Sequence, residues 1–354
     1  MHRKSVDSMP RILLIRAGAL GDCLLMLPAL NALRARFPQA RIDVMGYPKR
    51  WEWVLGRGLV DAVHTIERPG MHLLFCEGIA VPEPVKSFLG SYDVMLSYRP
   101  DPAGVFQHSL RALGAGLVLS QPPFPPPPPP KIHVADFALH LVARLGVPSP
   151  PAAPRLWLTA DELALVQPFF TIHQVDPSLH RIVVVHPGSG SEAKRWPVES
   201  FATLIQTLET QRWARTIVVT GYAEEDVVAR LLALIPTAKP LVAANWPLLP
   251  TAALIGQATV FIGHDSGLTH LAAALGRPTV AIFGPTDPEI WGPRGAHVTV
   301  VQMVREPAID AGREPGWRAR RTASHDVQQV LEAVQPWLTM EMPRRGPSDR
   351  AGQW

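Results

Sequence analysis

Residues 260–286, VFIGHDSGLTHLAAALGRPTVAIFGPT, place an apolar run on either side of a short amphipathic segment. Apolar runs of this length predict buried strands, and the segment between them has helical spacing, so the stretch predicts a strand, a helix and a second strand. In parallel sheets, ligands bind beyond the carboxyl ends of the strands, where the N–H groups at a helix N-terminus favour an anion. Capping of the helix by Asp265 or Ser266 is the alternative explanation for these residues.

Length and composition indicate a globular protein with two domains. The 354 residues exceed the usual size of one domain, and 47% hydrophobic with 18% charged residues can form substantial cores. The net charge of +4 comes without a dense cluster of lysine and arginine, so nucleic acid is not an expected partner. Two cysteines cannot form a disulfide framework, and neither a signal peptide nor an apolar run of ~18 residues is evident. We therefore expect a cytoplasmic protein.

The first part of the chain alternates predicted strands and helices, which is typical of a doubly wound parallel sheet. Strands are predicted at 11–16, 42–45, 62–66 and 92–98, and helices at 22–37 and 133–145. Between them, QPPFPPPPPP at residues 121–130 can form only polyproline II or irregular extended structure. We predict a Rossmann-like first domain over residues 1–154, with the proline-rich residues 121–130 as a loop.

The second part repeats this alternation. Strands are predicted at 181–185, 216–220, 241–243, 259–262 and 279–283, and helices at 161–173, 198–211, 224–234, 251–257, 266–275 and 326–338. Helices that connect successive strands indicate a second parallel sheet. We predict a Rossmann-like second domain over residues 155–339 and a disordered tail over 340–354. The last helix is compatible with packing against either domain.

The segment HPGSGSEAKRWP follows a predicted strand and combines small residues with a cation. Gly188 and Gly190 allow backbone amides to approach a phosphate closely. Ser189 supplies a hydroxyl, and Lys194 supplies a compact positive charge. The letters GSGSEA also fit the dinucleotide fingerprint, but Pro197 suits the first turn of a helix, so the helix begins too late to receive a pyrophosphate there. A solvated lysine without a ligand is the alternative.

Asp22 lies at the predicted start of a helix, after the turn AGALG. A role as the N-cap residue is the simplest explanation for an aspartate at that position. A carboxylate beyond the carboxyl end of a strand is also placed to act as a general base that takes a proton from an acceptor hydroxyl. The two roles are compatible.

Two further residues give weaker signals. Glu224, in TGYAEED after a predicted strand, is placed to accept hydrogen bonds from a ribose. Trp246 is placed to stack near a nucleobase. A surface glutamate and a half-buried tryptophan explain these residues equally well.

Three blocks of sequence, in this order, resemble glycosyltransferase family 9, the heptosyltransferases of lipopolysaccharide core synthesis. The blocks are RILLIRAGALGDCLLMLPALNALRARFP, VVVHPGSGSEAKRWPVESFATLI and FIGHDSGLTHLAAALGRPTVAIFGPTDPEIWGPRG. The segment HVADFALHLVARLGVP is similar to the same family, and together these cover most of residues 11–295. The resemblance implies the α/β fold called GT-B, in which two Rossmann-like domains with doubly wound parallel sheets face a cleft. The C-terminal domain would hold most of the nucleotide-sugar donor, and the N-terminal domain the acceptor.

The resemblance also implies roles for single residues. Asp22 matches the family's base in an inverting displacement at the anomeric carbon, and Lys194 matches its phosphate-binding lysine before Trp-Pro. The family's Asp-Thr-Gly-Leu-Ser-His motif appears here as DSGLTH, beginning at Asp265. Ser266 and Gly267 would then donate to the diphosphate, and Asp265 would face the sugar.

The predicted site therefore has Asp22 as its catalytic residue. Its donor-binding residues are Ser189, Gly190, Lys194, Glu224, Asp265, Ser266, Gly267 and His270. A helix N-terminus and a lysine supply positive charge for a diphosphate leaving group, so neither a metal ion nor a cofactor is expected.

The predicted function is transfer of a heptose from ADP-heptose to a lipopolysaccharide-core or other surface-glycan acceptor. Contact with the inner face of the cytoplasmic membrane is expected to be peripheral. A glycosyltransferase that uses a UDP- or GDP-hexose, and a nucleotide-sugar epimerase, are the alternatives.

Overall fold

The computed structural model describes residues 10–76, 78–114, 116–211, 213–303 and 323–340. The chain divides into two compact units, Met1–Ala152 (unit 1) and Ala153–Trp354 (unit 2), close to the predicted boundary after Pro154. Each unit contains one parallel sheet, as the sequence predicts. Of the predicted tail, residues 341–354 lie outside the described part of the chain. None of the helices in the described ranges has the length and apolar character needed to cross a bilayer.

Unit 1 forms a five-stranded sheet. Its strands are β1 (Arg11–Ile15), β2 (Arg41–Gly46), β3 (Ala62–Thr65), β4 (Val94–Tyr98) and β5 (Leu117–Gln121). Its α-helices are α1 (Leu20–Leu24), α2 (Leu27–Arg36), α3 (Pro48–Trp51), α4 (Glu83–Leu89), α5 (Val105–Ala112) and α6 (Val134–Ala143). The strand order β3-β2-β1-β4-β5 reverses direction between β1 and β4. Of the predicted loop at 121–130, Gln121 is the last residue of β5, and the proline-rich residues 122–130 form neither helix nor strand.

Unit 2 forms a six-stranded sheet. Its strands are β6 (Ile182–His186), β7 (Arg215–Thr220), β8 (Leu241–Ala244), β9 (Val260–His264), β10 (Thr279–Phe283) and β11 (Val298–Gln302). Its α-helices are α7 (Ala160–Ala164), α8 (Gln167–Ile172), α9 (Val198–Thr210), α10 (Glu225–Leu234), α11 (Leu248–Gly256), α12 (Gly267–Ala274), α13 (Pro288–Trp291) and α14 (Ala323–Thr339). The strand order β11-β10-β9-β6-β7-β8 reverses direction between β9 and β6.

Two predicted helices are each divided by a proline. The predicted helix at 22–37 is α1 followed by α2, and the predicted helix at 161–173 is α7 followed by α8. Pro28 and Pro168 lie in the first turn of α2 and α8, respectively. A proline is tolerated there because the first N–H groups of a helix have no intrahelical partner, but its ring prevents one continuous helix.

Apolar strands form the core of unit 2. β6, β9 and β10 consist entirely of buried residues, which is typical of strands covered by helices on both faces. Helix α14 adds Val327, Val330, Val334 and Leu338 to the same core as β6 and α9. The C-terminal helix therefore packs within unit 2, which decides the choice that the sequence left open.

Candidate functional site

The loops after β6 and β9 begin side by side in unit 2. β6 and β9 are paired neighbours, with His186 opposite Gly263 near their carboxyl ends. We call residues 187–197 the β6 loop and residues 265–266 the β9 loop, which leads directly into α12. Because the strand order reverses between these two strands, the loops lie where doubly wound sheets bind ligands.

Lys194 and Asp265 join the two loops. The Nζ atom of Lys194 donates to Oδ2 of Asp265 at 2.6 Å, and Oγ1 of Thr286 donates to the same oxygen at 2.8 Å. The side chain of Asp265 is 9% exposed and that of Lys194 is 31% exposed, so the cation keeps access to a ligand. A charge-assisted hydrogen bond of this length is among the stronger polar contacts in proteins.

Two predicted serines lie in the same place. Ser189 is buried, and its hydroxyl donates to the backbone oxygen of Asp265 at 3.2 Å. Ser266 is the N-cap residue of α12, but its side chain makes no capping hydrogen bond, and its Oγ lies 3.1 Å from Oγ1 of Thr269. Helix α12 begins at Gly267, and the first N–H groups of a helix have no partner within the helix. These groups, together with the helix dipole, favour an anion at this edge of the sheet.

His264 fixes the β6 loop to the end of β9. Its ring is fully buried, its Nε2 accepts the N–H of Trp196 at 2.6 Å, and its Nδ1 lies 3.0 Å from the oxygen of Gly188. These partners assign the neutral tautomer with its proton on Nδ1. Burial lowers the pKa of His264 to about 4 and that of His186 to about 3. Both rings are therefore neutral near pH 7 and serve as structural groups, not as cationic phosphate ligands.

Acid is expected to destabilise the protein through His264. Because its pKa in the folded protein lies below the ordinary value of 6.5, the unfolded chain binds this proton more tightly, and stability falls as the pH drops below that value. From about pH 7.5 to about pH 5, the contribution of His264 to the free energy of unfolding should fall by about 2 kcal/mol. Urea unfolding of the parent and of His264→Gln at both pH values measures this difference. Equal losses in the two proteins would contradict it.

Glu224 lies against the β6 loop. Its Oε2 accepts the N–H of Gly221 at 3.0 Å, and a Cβ atom added to Gly188 would collide with its side chain. The side chain of Glu224 therefore occupies the space that a Cβ atom at position 188 would need. The space around Gly190 is open, so the backbone there is accessible to a ligand.

His270 and Trp246 are two further residues of unit 2 that the sequence singled out. His270 is buried in α12, and its part in donor binding stays a prediction. Trp246 is half-buried, with its ring edge-on to Phe169 and the ring centres 4.9 Å apart. This contact favours the structural explanation for the tryptophan over stacking on a nucleobase.

Asp22 lies in the first turn of α1 in unit 1, beyond the end of β1. The N-cap residue is Ala19, so the predicted N-cap role of Asp22 is wrong: the helix begins earlier, and Asp22 is its third residue. Its Oδ2 nevertheless accepts the N–H of Ala19 at 2.7 Å, and its Oδ1 lies 3.5 Å from a guanidinium nitrogen of Arg16. A Cβ atom on Gly18 would lie 2.7 Å from Oδ2, which explains a glycine at that position.

Sequence reasoning missed three residues at these sites: Arg16, His264 and Thr286. Arg16 follows β1, His264 ends β9, and Thr286 follows β10. A polar residue at the carboxyl end of a buried strand is the signal that could have found each of them. Among the residues that the structure describes, no three His, Cys, Asp or Glu side chains are grouped in a way that could hold a metal ion.

Known proteins are similar to this chain in sequence and in fold. The family model described as "Glycosyltransferase family 9 (heptosyltransferase)" matches residues 109–315. Lipopolysaccharide heptosyltransferase 1 of Escherichia coli K12 is 31% identical over 325 residues, which are 85% of this chain and 96% of that protein.

Two solved structures are similar in fold. A glycosyl transferase family 9 protein from Veillonella parvula DSM 2008 superposes with a TM-score of 0.76 at 21% identity, over 95% of this chain and 99% of that one. The ADP-heptose LPS heptosyltransferase II of E. coli gives a TM-score of 0.69 at 20% identity, over 93% and 98% of the two chains.

These similarities confirm the predicted α/β fold of the GT-B class. The family match spans more than half of the chain, and the E. coli relative is covered almost completely. The chain therefore belongs to glycosyltransferase family 9 and is a heptosyltransferase-like glycosyltransferase.

Proposed function

We propose that the protein is an inverting glycosyltransferase that transfers a heptose from ADP-heptose to a lipopolysaccharide-core or other surface-glycan acceptor. The observation that carries this proposal is the group formed by Lys194, Asp265 and the start of α12 at the edge of the unit 2 sheet. The group combines a cation, a carboxylate and helix N–H groups. A sugar diphosphate needs donors for its phosphates and acceptors for its hydroxyls, and this group offers both.

Unit 2 would bind the donor. The ammonium of Lys194 and the backbone N–H groups of Ser266 and Gly267 would donate to the diphosphate. Asp265 would accept hydrogen bonds from the sugar, and Glu224 from the ribose. The proposed donor site is completed by Ser189, Gly190 and His270.

The transfer would be a single displacement. A carboxylate oxygen of Asp22 takes the proton of the acceptor hydroxyl, while the acceptor oxygen forms a bond to the anomeric carbon of the heptose. The bond from that carbon to the diphosphate breaks with inversion, and its electron pair leaves with ADP. Lys194 and the dipole of α12 stabilise the charge that develops on the leaving group, so the chemistry needs no metal ion.

The relatives support the choice of donor and acceptor. The E. coli structure of similar fold is described as an ADP-heptose LPS heptosyltransferase, and the E. coli relative as a lipopolysaccharide heptosyltransferase. An acceptor joined to lipid would place the reaction at the inner face of the cytoplasmic membrane, with the protein on its cytoplasmic side. Protein contact with that surface would be peripheral and weakened by salt.

Calorimetric titration with ADP, UDP, GDP and NAD, in the presence of EDTA, tests the donor. We expect selective binding of ADP, followed by transfer from ADP-heptose to a lipopolysaccharide that lacks heptose, with inverted configuration in the product. Selective binding of UDP or GDP would mean that the donor is a UDP- or GDP-sugar in place of ADP-heptose. Binding of NAD alone would overturn the proposal. Turnover that EDTA abolishes and a divalent cation restores would contradict the metal-free mechanism.

A further inference from the structure

We propose that Phe124, in the proline-rich residues 122–130, is a positioning residue for the reaction and acts on Asp22 through Arg16. This inference rests on the proposed role of Asp22 as the base. It gives a function to a segment whose sequence predicts only a loop.

Arg16 is a buried cation beside Asp22. It follows β1 directly, its side chain is 1% exposed, and one guanidinium nitrogen lies 3.5 Å from Oδ1 of Asp22. Its Nε is buried and has no hydrogen-bond partner among the described residues. Burial lowers the pKa of Arg16, and the nearby carboxylate of Asp22 opposes that shift. The guanidinium therefore depends on a few close contacts in place of water.

Phe124 provides one of these contacts. The guanidinium carbon of Arg16 lies 4.8 Å from the centre of the Phe124 ring, within the range of a cation–π interaction. Phe124 is 37% exposed, and its ring covers the guanidinium on the side that it faces. Proline residues around Phe124 restrict the backbone, which lowers the entropy lost when the ring is held in place.

The contact matters because Arg16 reaches Asp22 across a long distance. Oδ2 of Asp22 is held by the N–H of Ala19 at 2.7 Å, whereas Oδ1 faces the guanidinium at 3.5 Å, longer than an ordinary hydrogen bond. A small displacement of Arg16 would therefore change the orientation of the oxygen that it faces. Since general bases act only in a narrow range of geometry, the ring affects the chemical step without touching substrate.

Substitutions at Phe124 distinguish the effect of its aromatic ring from the effect of an apolar side chain of similar size. Phe124→Leu keeps an apolar side chain but removes the ring, and we expect kcat with ADP-heptose and heptose-deficient lipopolysaccharide to fall by about tenfold. KM for ADP-heptose should not change, because the proposed donor groups belong to unit 2. Phe124→Tyr retains the ring and should restore kcat to the parent value.

Phe75→Leu is a matched control. Phe75 is 41% exposed, and its ring centre lies 4.8 Å from the guanidinium carbon of Arg99, so the same kind of contact is lost. We expect kcat to stay at the parent value in this variant. In an Arg16→Lys background, Phe124→Leu should cause little further loss, because the planar cation on which the ring acts is already absent.

Proton exchange at Nε of Arg16, followed by NMR of the full-length protein, reports the contact without substrate. We expect exchange in Phe124→Leu to be at least about tenfold faster than in the parent, and unchanged in Phe75→Leu and Phe124→Tyr. Unchanged exchange in Phe124→Leu, or faster exchange with an unchanged kcat, would overturn the inference. Faster exchange in a protein that transfers no sugar from any ADP, UDP or GDP donor would instead remove the proposed function and, with it, the catalytic role of the ring.

Discussion

Replacing Asp22 with asparagine is expected to lower kcat by about 10²–10⁴-fold and to leave the affinity for ADP unchanged. An amide of the same shape still accepts the N–H of Ala19, so α1 keeps its first turn. It cannot take a proton from an acceptor hydroxyl, and that is the step assigned to Asp22. Steady-state transfer assays and calorimetric titration with ADP measure the two effects separately.

Asp161→Asn is the control for this experiment. Asp161 is an exposed acid in the first turn of α7, so its replacement removes a carboxylate from the first turn of a helix in unit 2. Its turnover should equal that of the parent. If Asp22→Asn also retained near-normal turnover, Asp22 would have no part in the chemistry, and another base would have to be sought.

Replacing Lys194 with methionine is expected to weaken ADP binding by ~1.5–3 kcal/mol, the usual size of a hydrogen bond to a charged group. Methionine keeps most of the apolar stem and removes the ammonium. The substitution also leaves the carboxylate of Asp265, which is 9% exposed, with the hydroxyl of Thr286 but without its cation. The uncompensated charge should repel a diphosphate and add to the loss. Calorimetry at constant ionic strength measures the change.

Two variants test the source of that effect. Lys239→Met removes an exposed lysine from unit 2, and ADP binding should not change. Asp265→Asn leaves Lys194 without its anionic partner at 2.6 Å, so ADP should bind at least as tightly as to the parent. An unaltered dissociation constant in Lys194→Met would show that the lysine does not contact the diphosphate.

The sequence predicts the sheets well because their strands are nearly continuous apolar runs. β6, β9 and β10 are buried along their whole length, and such runs are visible without any knowledge of tertiary contacts. β11 was not predicted; it lies at the edge of the sheet, and of its five residues only Val301 is buried, so it lacks the continuous apolar run of the central strands. The divided helices were missed because a proline in a first turn leaves the helical spacing of apolar residues on both sides intact.

Single residues of the candidate site could be predicted from the sequence, but the contacts between them could not. Lys194 and Asp265 each attract notice as polar residues in loops after strands, yet they are 71 residues apart in the chain. Only the pairing of β6 with β9 brings them together, and local patterns do not reveal strand order. The structural role of His264 could not be predicted for the same reason, because its burial and its two backbone partners follow from that pairing.

Four hydrogen bonds join the β6 loop to the end of β9 and to the β9 loop: Ser189 to Asp265, Lys194 to Asp265, Trp196 to His264 and His264 to Gly188. Two of them use the backbone of the β6 loop, and three begin or end in a buried side chain. A loop held in this way loses little conformational entropy when a ligand binds, and this smaller loss makes the affinity higher. Substitutions at His264, which need not touch a nucleotide, would then weaken binding through an unfavourable entropy change, while the enthalpy of the phosphate contacts stays nearly constant.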